Sequence, residues 1–140
     1  MDSSGAGRVS RIDLRAASVG LVAAVLLQLL GSSVLFGGQA GNPFAQGVLT
    51  FSALLVGGFL AGWLGPVAGS AWNGTVVAIG FVAVAALART ILETQLARTV
   101  GPLALGSSDM TGLIVGDLVE LSGGTLGGWL SRRSRRLIVR

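Results

Sequence analysis

Residues 43–64 read PFAQGVLTFSALLVGGFLAGWL. The stretch opens on Pro43 behind Asn42, carries no charge, and ends on Trp63-Leu64 before Gly65-Pro66. Asn followed by Pro is the pairing expected of a helix cap and first helical residue, because the first turn needs no N–H from its opening residues. Pro66 closes the segment, since proline cannot continue the hydrogen-bond ladder. About 20 predominantly apolar residues cross the hydrocarbon core of a bilayer, so this segment is predicted to span a membrane as a helix.

Three further segments fit the same reading. Leu14 to Phe36 is a first apolar run, and a span over about 71–90 follows Gly65-Pro66. A last span covers about 110–130, with Asp109 as its cap. The helix of the third span is expected to continue past its membrane length towards Leu96, ahead of a connection broken by Gly101-Pro102. Residues 1–13 are expected to be a disordered cytoplasmic tail and 132–140 a basic cytoplasmic tail, leaving 14–131 as one membrane domain. A competing reading makes the start a secretory signal, with Arg8, Arg11 and Arg15 before the apolar run and Gly38-Gln39-Ala40 as cleavage site. The run exceeds the roughly 7–15 residues of such a signal, which favours a retained helix. The fold class expected is all-α, an integral membrane four-helix bundle.

Composition points the same way. Of 140 residues, 51% are hydrophobic and only 11% charged, against about 25% charged in soluble domains. Too little polar surface exists to coat a globule in water. Cysteine and histidine are both absent, which removes disulfides, thiolate or imidazole metal ligands and the commonest general base. Neither a cofactor nor a metal is called for. The net charge of +4 resides at the chain ends, where membrane proteins carry topology signals, and does not suggest nucleic-acid binding.

An even number of spans puts Arg8, Arg11, Arg15 and Arg132, Arg133, Arg135, Arg136, Arg140 on one side, which the positive-inside rule makes cytoplasmic. The same count brings Trp63, Trp72 and Trp129 to one interface, where indole rings anchor. The expected location is the cytoplasmic membrane, with both termini inside and the bilayer as first partner.

Val56-Gly57-Gly58-Phe59-Leu60-Ala61-Gly62-Trp63-Leu64 matches Ser122-Gly123-Gly124-Thr125-Leu126-Gly127-Gly128-Trp129-Leu130. Ahead of these, Gly20-Leu-Val-Ala-Ala-Val matches Gly74-Thr-Val-Val-Ala-Ile more weakly. Two parallel helical hairpins related by a pseudo-twofold axis along the membrane normal are one explanation; similar glycine placement arising separately is the other. Residues four apart share a helix face, so Gly57 with Ala61, Gly58 with Gly62, Gly123 with Gly127 and Gly124 with Gly128 give bare backbone stripes for close helix contact. These place the second and fourth spans at the bundle centre, or at a homodimer seam.

The order of an apolar first span, Gly57-Gly58-x-x-Ala61-Gly62, a tight turn into Trp72-Asn73-Gly74, and Gly123-Gly124-x-x-Gly127-Gly128 resembles the small four-helix bacterial membrane proteins of the YrzE type. The resemblance covers about residues 14–131 and implies a four-helix fold, with no activity or catalytic residues attached.

Asp117 and Glu120 lie roughly 22 and 18 Å inward of Arg132 along a helix, near mid-membrane. A carboxylate there costs about 2.5–3.5 kcal/mol on insertion scales. Such groups either mark an ion or proton path or tie helices together. Gln28, at the depth of Glu120, and Arg89, near the outer surface, are the expected partners; Glu93 competes for Arg89. Asn73 is expected to cap the third span or face headgroups.

Without histidine or lysine no hydrolase triad or Ser-Lys dyad can form, and no enzyme is expected. The leading expectation is a structural or assembly component, packing on itself or into a larger membrane complex. The alternative is a small oligomeric channel or proton- or cation-coupled transporter using Asp117 and Glu120.

Overall fold

The computed structural model describes residues 12–37, 42–100 and 110–138. These form four α-helices, α1 (Leu14–Phe36), α2 (Pro43–Leu64), α3 (Ser70–Val100) and α4 (Met110–Ile138), with a single 3-10 turn at Val67–Gly69 and no strand among the described residues. The tail over residues 1–11, the cleavage-like 38–40, Asp109 and Gly101-Pro102 fall outside the described residues.

Helix ends follow local chemistry. Asp13 caps α1, its carboxylate accepting from the N–H groups of Arg15 and Ala16. Gly37 ends it at φ +58°, the left-handed region that glycine enters without a Cβ clash. Asn42 caps α2, its Oδ1 accepting from Phe44 N at 2.9 Å, with Pro43 in the first turn. At the other end α4 does not stop with the apolar residues. It continues through Arg132–Arg136 to Ile138, so the basic stretch is largely a rigid helix.

Helices α1, α2 and the segment Val67–Leu92 are each long and apolar enough to cross a membrane. Helix α4 is not among them, being diluted by Asp117, Glu120 and a run of Gly, Ser and Thr.

Helices consecutive in the chain are antiparallel, whereas α2 and α4 pack in parallel, as do α1 and α3. Helix α2 packs on α1, α3 and α4, while α1 and α4 each also pack on α3 and lie on opposite flanks of the α2–α3 pair. The starts of α1 and α3, the ends of α2 and α4, and hence Arg15, Trp63, Trp72, Trp129 and Arg132–Arg136, therefore share one end of the bundle, termed here the arginine end.

The core is made mostly of small residues. Ala17, Ala24, Leu54, Ala61, Val77, Ala78 and Phe81 form its buried cluster, and Leu54 is its largest fully buried side chain. The glycine stripes put backbone against backbone. The direction a Cβ would take from Gly20 points at the Gly57 carbonyl and that of Gly57 back at the Gly20 carbonyl; Gly74 and Gly124 form the same reciprocal pair between α3 and α4. In each case a Cα–H faces a carbonyl oxygen, a weak hydrogen bond that requires close approach.

Each hairpin thus closes on one Gly–Gly crossing backed by an alanine, Ala24 in the first and Ala78 in the second. The registers differ by one residue from the sequence match, in which Gly57 aligns with Gly123. Gly57 and Ala61 turn to α1, while Gly58 and Gly62 turn to α4. Gly123 and Gly127 turn to α2; Gly124 and Gly128 turn to α3. Helix α4 is therefore rotated about its axis relative to α2. Together with the α2–α3 contact that has no α1–α4 counterpart of similar extent, this departs from a twofold arrangement.

Candidate functional site

Packing is unequal along the bundle. Residues 83–92 of α3 are exposed on all sides wherever described, and the buried positions of α1 end at Ala24. Among the described residues, the tight half is the arginine end and the far half is loosely packed.

The carboxylates lie in the loose half. Asp117 is exposed on α4, flanked by exposed Val115, Leu118 and Val119. Glu120 is half-buried, on the same helix side as Gly124 and Gly128 one and two turns on, which face α3. Gln28 is half-buried on α1, and its Oε1 is buried with no hydrogen-bond partner among the described residues. Gln28 lies between Ala24, which meets Gly57, and Gly31, which meets Leu49; Glu120 lies one turn beyond Gly123, which meets Phe51. Both are thus at about the level of Phe51, as their depths in the sequence suggest. They are not brought together, because α1 and α4 occupy opposite flanks. Arg89 is exposed on the outer length of α3. The four residues do not form one cluster, and no group of three Asp or Glu side chains that could hold a metal gathers among the described residues.

The arginine end is more highly organised. Asn73 is fully buried rather than capping α3 or facing headgroups. Its Oδ1 accepts from Asp13 N at 3.0 Å, tying the start of α1 to the start of α3, and its Nδ2 abuts Gly65 at the end of α2. The only signal for this in the sequence is position, in the first turn of the helix that follows the Gly-Pro break. Ser70 and Ser131 are also buried, each satisfied by a carbonyl of its own chain segment, Val67 and Gly128. Thr75 and Thr125 join α3 to α4 through their hydroxyls at 3.1 Å.

The arginines divide. Arg135 turns inward: its Nη2 donates to the Gly62 carbonyl at 2.9 Å and its guanidinium lies 5.5 Å from the centre of the Trp63 ring, which stacks on Phe59. That carbonyl is one of those freed at the end of α2, so the contact satisfies an otherwise unmatched acceptor. Arg132, Arg133 and Arg136 turn the other way and, with Trp129, line an open concavity of about 370 Å³. Arg133 sits 5.7 Å from the Trp129 ring centre. Trp63, Trp72 and Trp129 are all partly exposed here, as rings that anchor at a membrane interface would be.

No family model, curated protein or solved structure matches the chain.

Proposed function

We propose that the chain is a non-enzymatic integral membrane protein that crosses the bilayer four times, with both ends cytoplasmic, and acts as an assembly subunit through the outer half of α4. Three helices suited to crossing support the membrane reading. The fourth crossing is supported by α4 running parallel to α2, glycine against backbone, from Gly123 at Phe51 to Gly128 and Ser131 at Gly62. A helix that close to a spanning helix occupies the same slab of membrane. The YrzE-type resemblance belongs with this proposal.

The observation carrying the assembly role is exposed Asp117 among exposed Val115, Leu118 and Val119. The glycine stripes are already engaged within the chain, so they are not the contact surface. A carboxylate bare to lipid at that depth is costly, and a second membrane protein, another copy or a larger complex, relieves the cost by covering it. The cysteine-free sequence permits a direct test. Leu118→Cys treated with a bis-maleimide in native membranes is expected to yield a covalent adduct, and Val22→Cys, on the exposed face of α1, a monomer. A monomer at both positions contradicts the assembly role.

A transport reading is favoured by one observation, the unpartnered Gln28 oxygen at the level of half-buried Glu120. It requires proton or cation flux in reconstituted vesicles that Glu120→Gln or Asp117→Asn abolishes. Flux unchanged by both substitutions removes it.

A further inference from the structure

We infer that Trp129, Arg132, Arg133 and Arg136 form a binding site for the phosphate headgroup of an anionic phospholipid. In a loose basic tail these charges would act as a diffuse cloud. Because α4 continues to Ile138, the four side chains instead project from one helix face, at the three-, four- and seven-residue spacing that keeps residues together. They line one concavity of about 370 Å³, within the range of about 300–1,000 Å³ common for ligand clefts.

The remaining arginine of the run is segregated from it. Arg135 is committed to the Gly62 carbonyl and Trp63 on the bundle side, which fixes the rotation of α4 and holds the other three outward. Among the described residues that line the concavity, none is acidic. Three arginines line it, each guanidinium a planar fork that matches phosphate oxygens with paired N–H donors. The Trp129 ring lies 5.7 Å from the Arg133 guanidinium and restricts its swing.

A lipid, rather than a free anion, is indicated by what surrounds the arginines. Trp129 and Leu130 are partly exposed on the membrane side and Leu137 is exposed beyond. A ligand with its phosphate among the arginines thus has apolar surface beside it for its acyl chains. The site rests on the membrane reading of the helices and not on the assembly role.

The test uses the full chain in neutral detergent, with native mass spectrometry of bound dioleoyl phosphatidylglycerol or dioleoyl phosphatidylcholine, which share acyl chains. Phosphatidylglycerol is expected to bind at least tenfold more tightly. Each arginine near an anionic surface contributes about a fivefold factor in affinity, so the triple variant Arg132→Gln, Arg133→Gln, Arg136→Gln is expected to lose on the order of 100-fold. Arg15→Gln, at the same end but outside the concavity, is expected to leave affinity within about twofold, which an untargeted charge effect would not. Circular dichroism of each variant establishes that the helices persist. Equal binding of the two lipids overturns the site, as does a loss of about fivefold from Arg15→Gln, the share of one arginine acting as untargeted charge. Displacement of the lipid by millimolar inorganic phosphate also overturns it, by assigning the arginines to a soluble anion. Labelling of the termini from the two membrane faces reports on topology separately.

Discussion

Gly124→Ala is expected to destabilise the bundle by about 3 kcal/mol, the upper end of what overpacking costs, and Gly124→Val to prevent folding. A Cβ at Gly124 would lie 2.6 Å from the Gly74 carbonyl oxygen and 2.7 Å from the Ala78 Cβ. Real Cβ atoms essentially never approach so closely, and the atoms in the way are backbone and a methyl group directly attached to it, neither of which can rotate aside. Helix α3 would have to move off α4. That movement would also disturb α2, because the Cβ direction of Gly58 points at the carbonyl of Gly124 itself. Gly47→Ala and Gly116→Ala are the controls, since a Cβ at either meets nothing within 4 Å. There the substitution reduces backbone freedom in the unfolded chain and is expected to be neutral or to stabilise by up to roughly 1 kcal/mol. Denaturant or thermal unfolding in detergent, followed by circular dichroism, measures all four. Equal stability of Gly124→Ala and Gly47→Ala would refute the backbone crossing.

The second large effect is expected at Asn73. Asn73→Ala removes the acceptor for the Asp13 N–H and leaves a gap in a fully buried position. Leaving a partly buried donor unmatched costs about 1–3 kcal/mol. The loss is expected to concentrate at the start of α1, which Asn73 holds to α3, and to appear as faster amide exchange over the first turns of α1 than over α2. Asp13→Asn is the contrasting variant. Asparagine caps helices about as well as aspartate, and the bond to Asn73 uses the backbone of residue 13, so stability is expected to hold. Uniform loss of protection in both variants would show that residue 73 does not act as a local tie.

The four helices were legible because long, largely apolar runs bounded by Asp13, Asn42-Pro43 and Gly65-Pro66, read as lying in lipid, must satisfy their backbone internally, which leaves few structures but helices. The glycine stripes were legible as close contacts for the same reason. Which helix each stripe faces was not. Gly57 and Gly58 are adjacent in sequence but about 100° apart on the helix, so each begins a separate stripe, and only tertiary packing decides that one meets α1 and the other α4. The pairing of Gln28 with Glu120 failed on similar grounds. Depth follows from counting residues along a helix, whereas sideways placement depends on the order of helices around the bundle, and α1 lies across the α2–α3 pair from α4. The division of the arginines was also hidden. A basic run after an apolar span reads as a topology signal, and nothing in its composition distinguishes Arg135, bonded to Gly62, from the three that line the concavity.

The most direct test of the four-crossing arrangement is labelling of single cysteines with a membrane-impermeant maleimide, in intact cells and again after the membrane is opened. Phe44→Cys and Thr94→Cys, near the far end of the bundle, are expected to react in intact cells. Ile12→Cys and Leu137→Cys, at the arginine end, are expected to react only once the membrane is opened. Reaction of Ile12→Cys and Leu137→Cys from opposite faces would mean that one helix, α4 above all, does not cross.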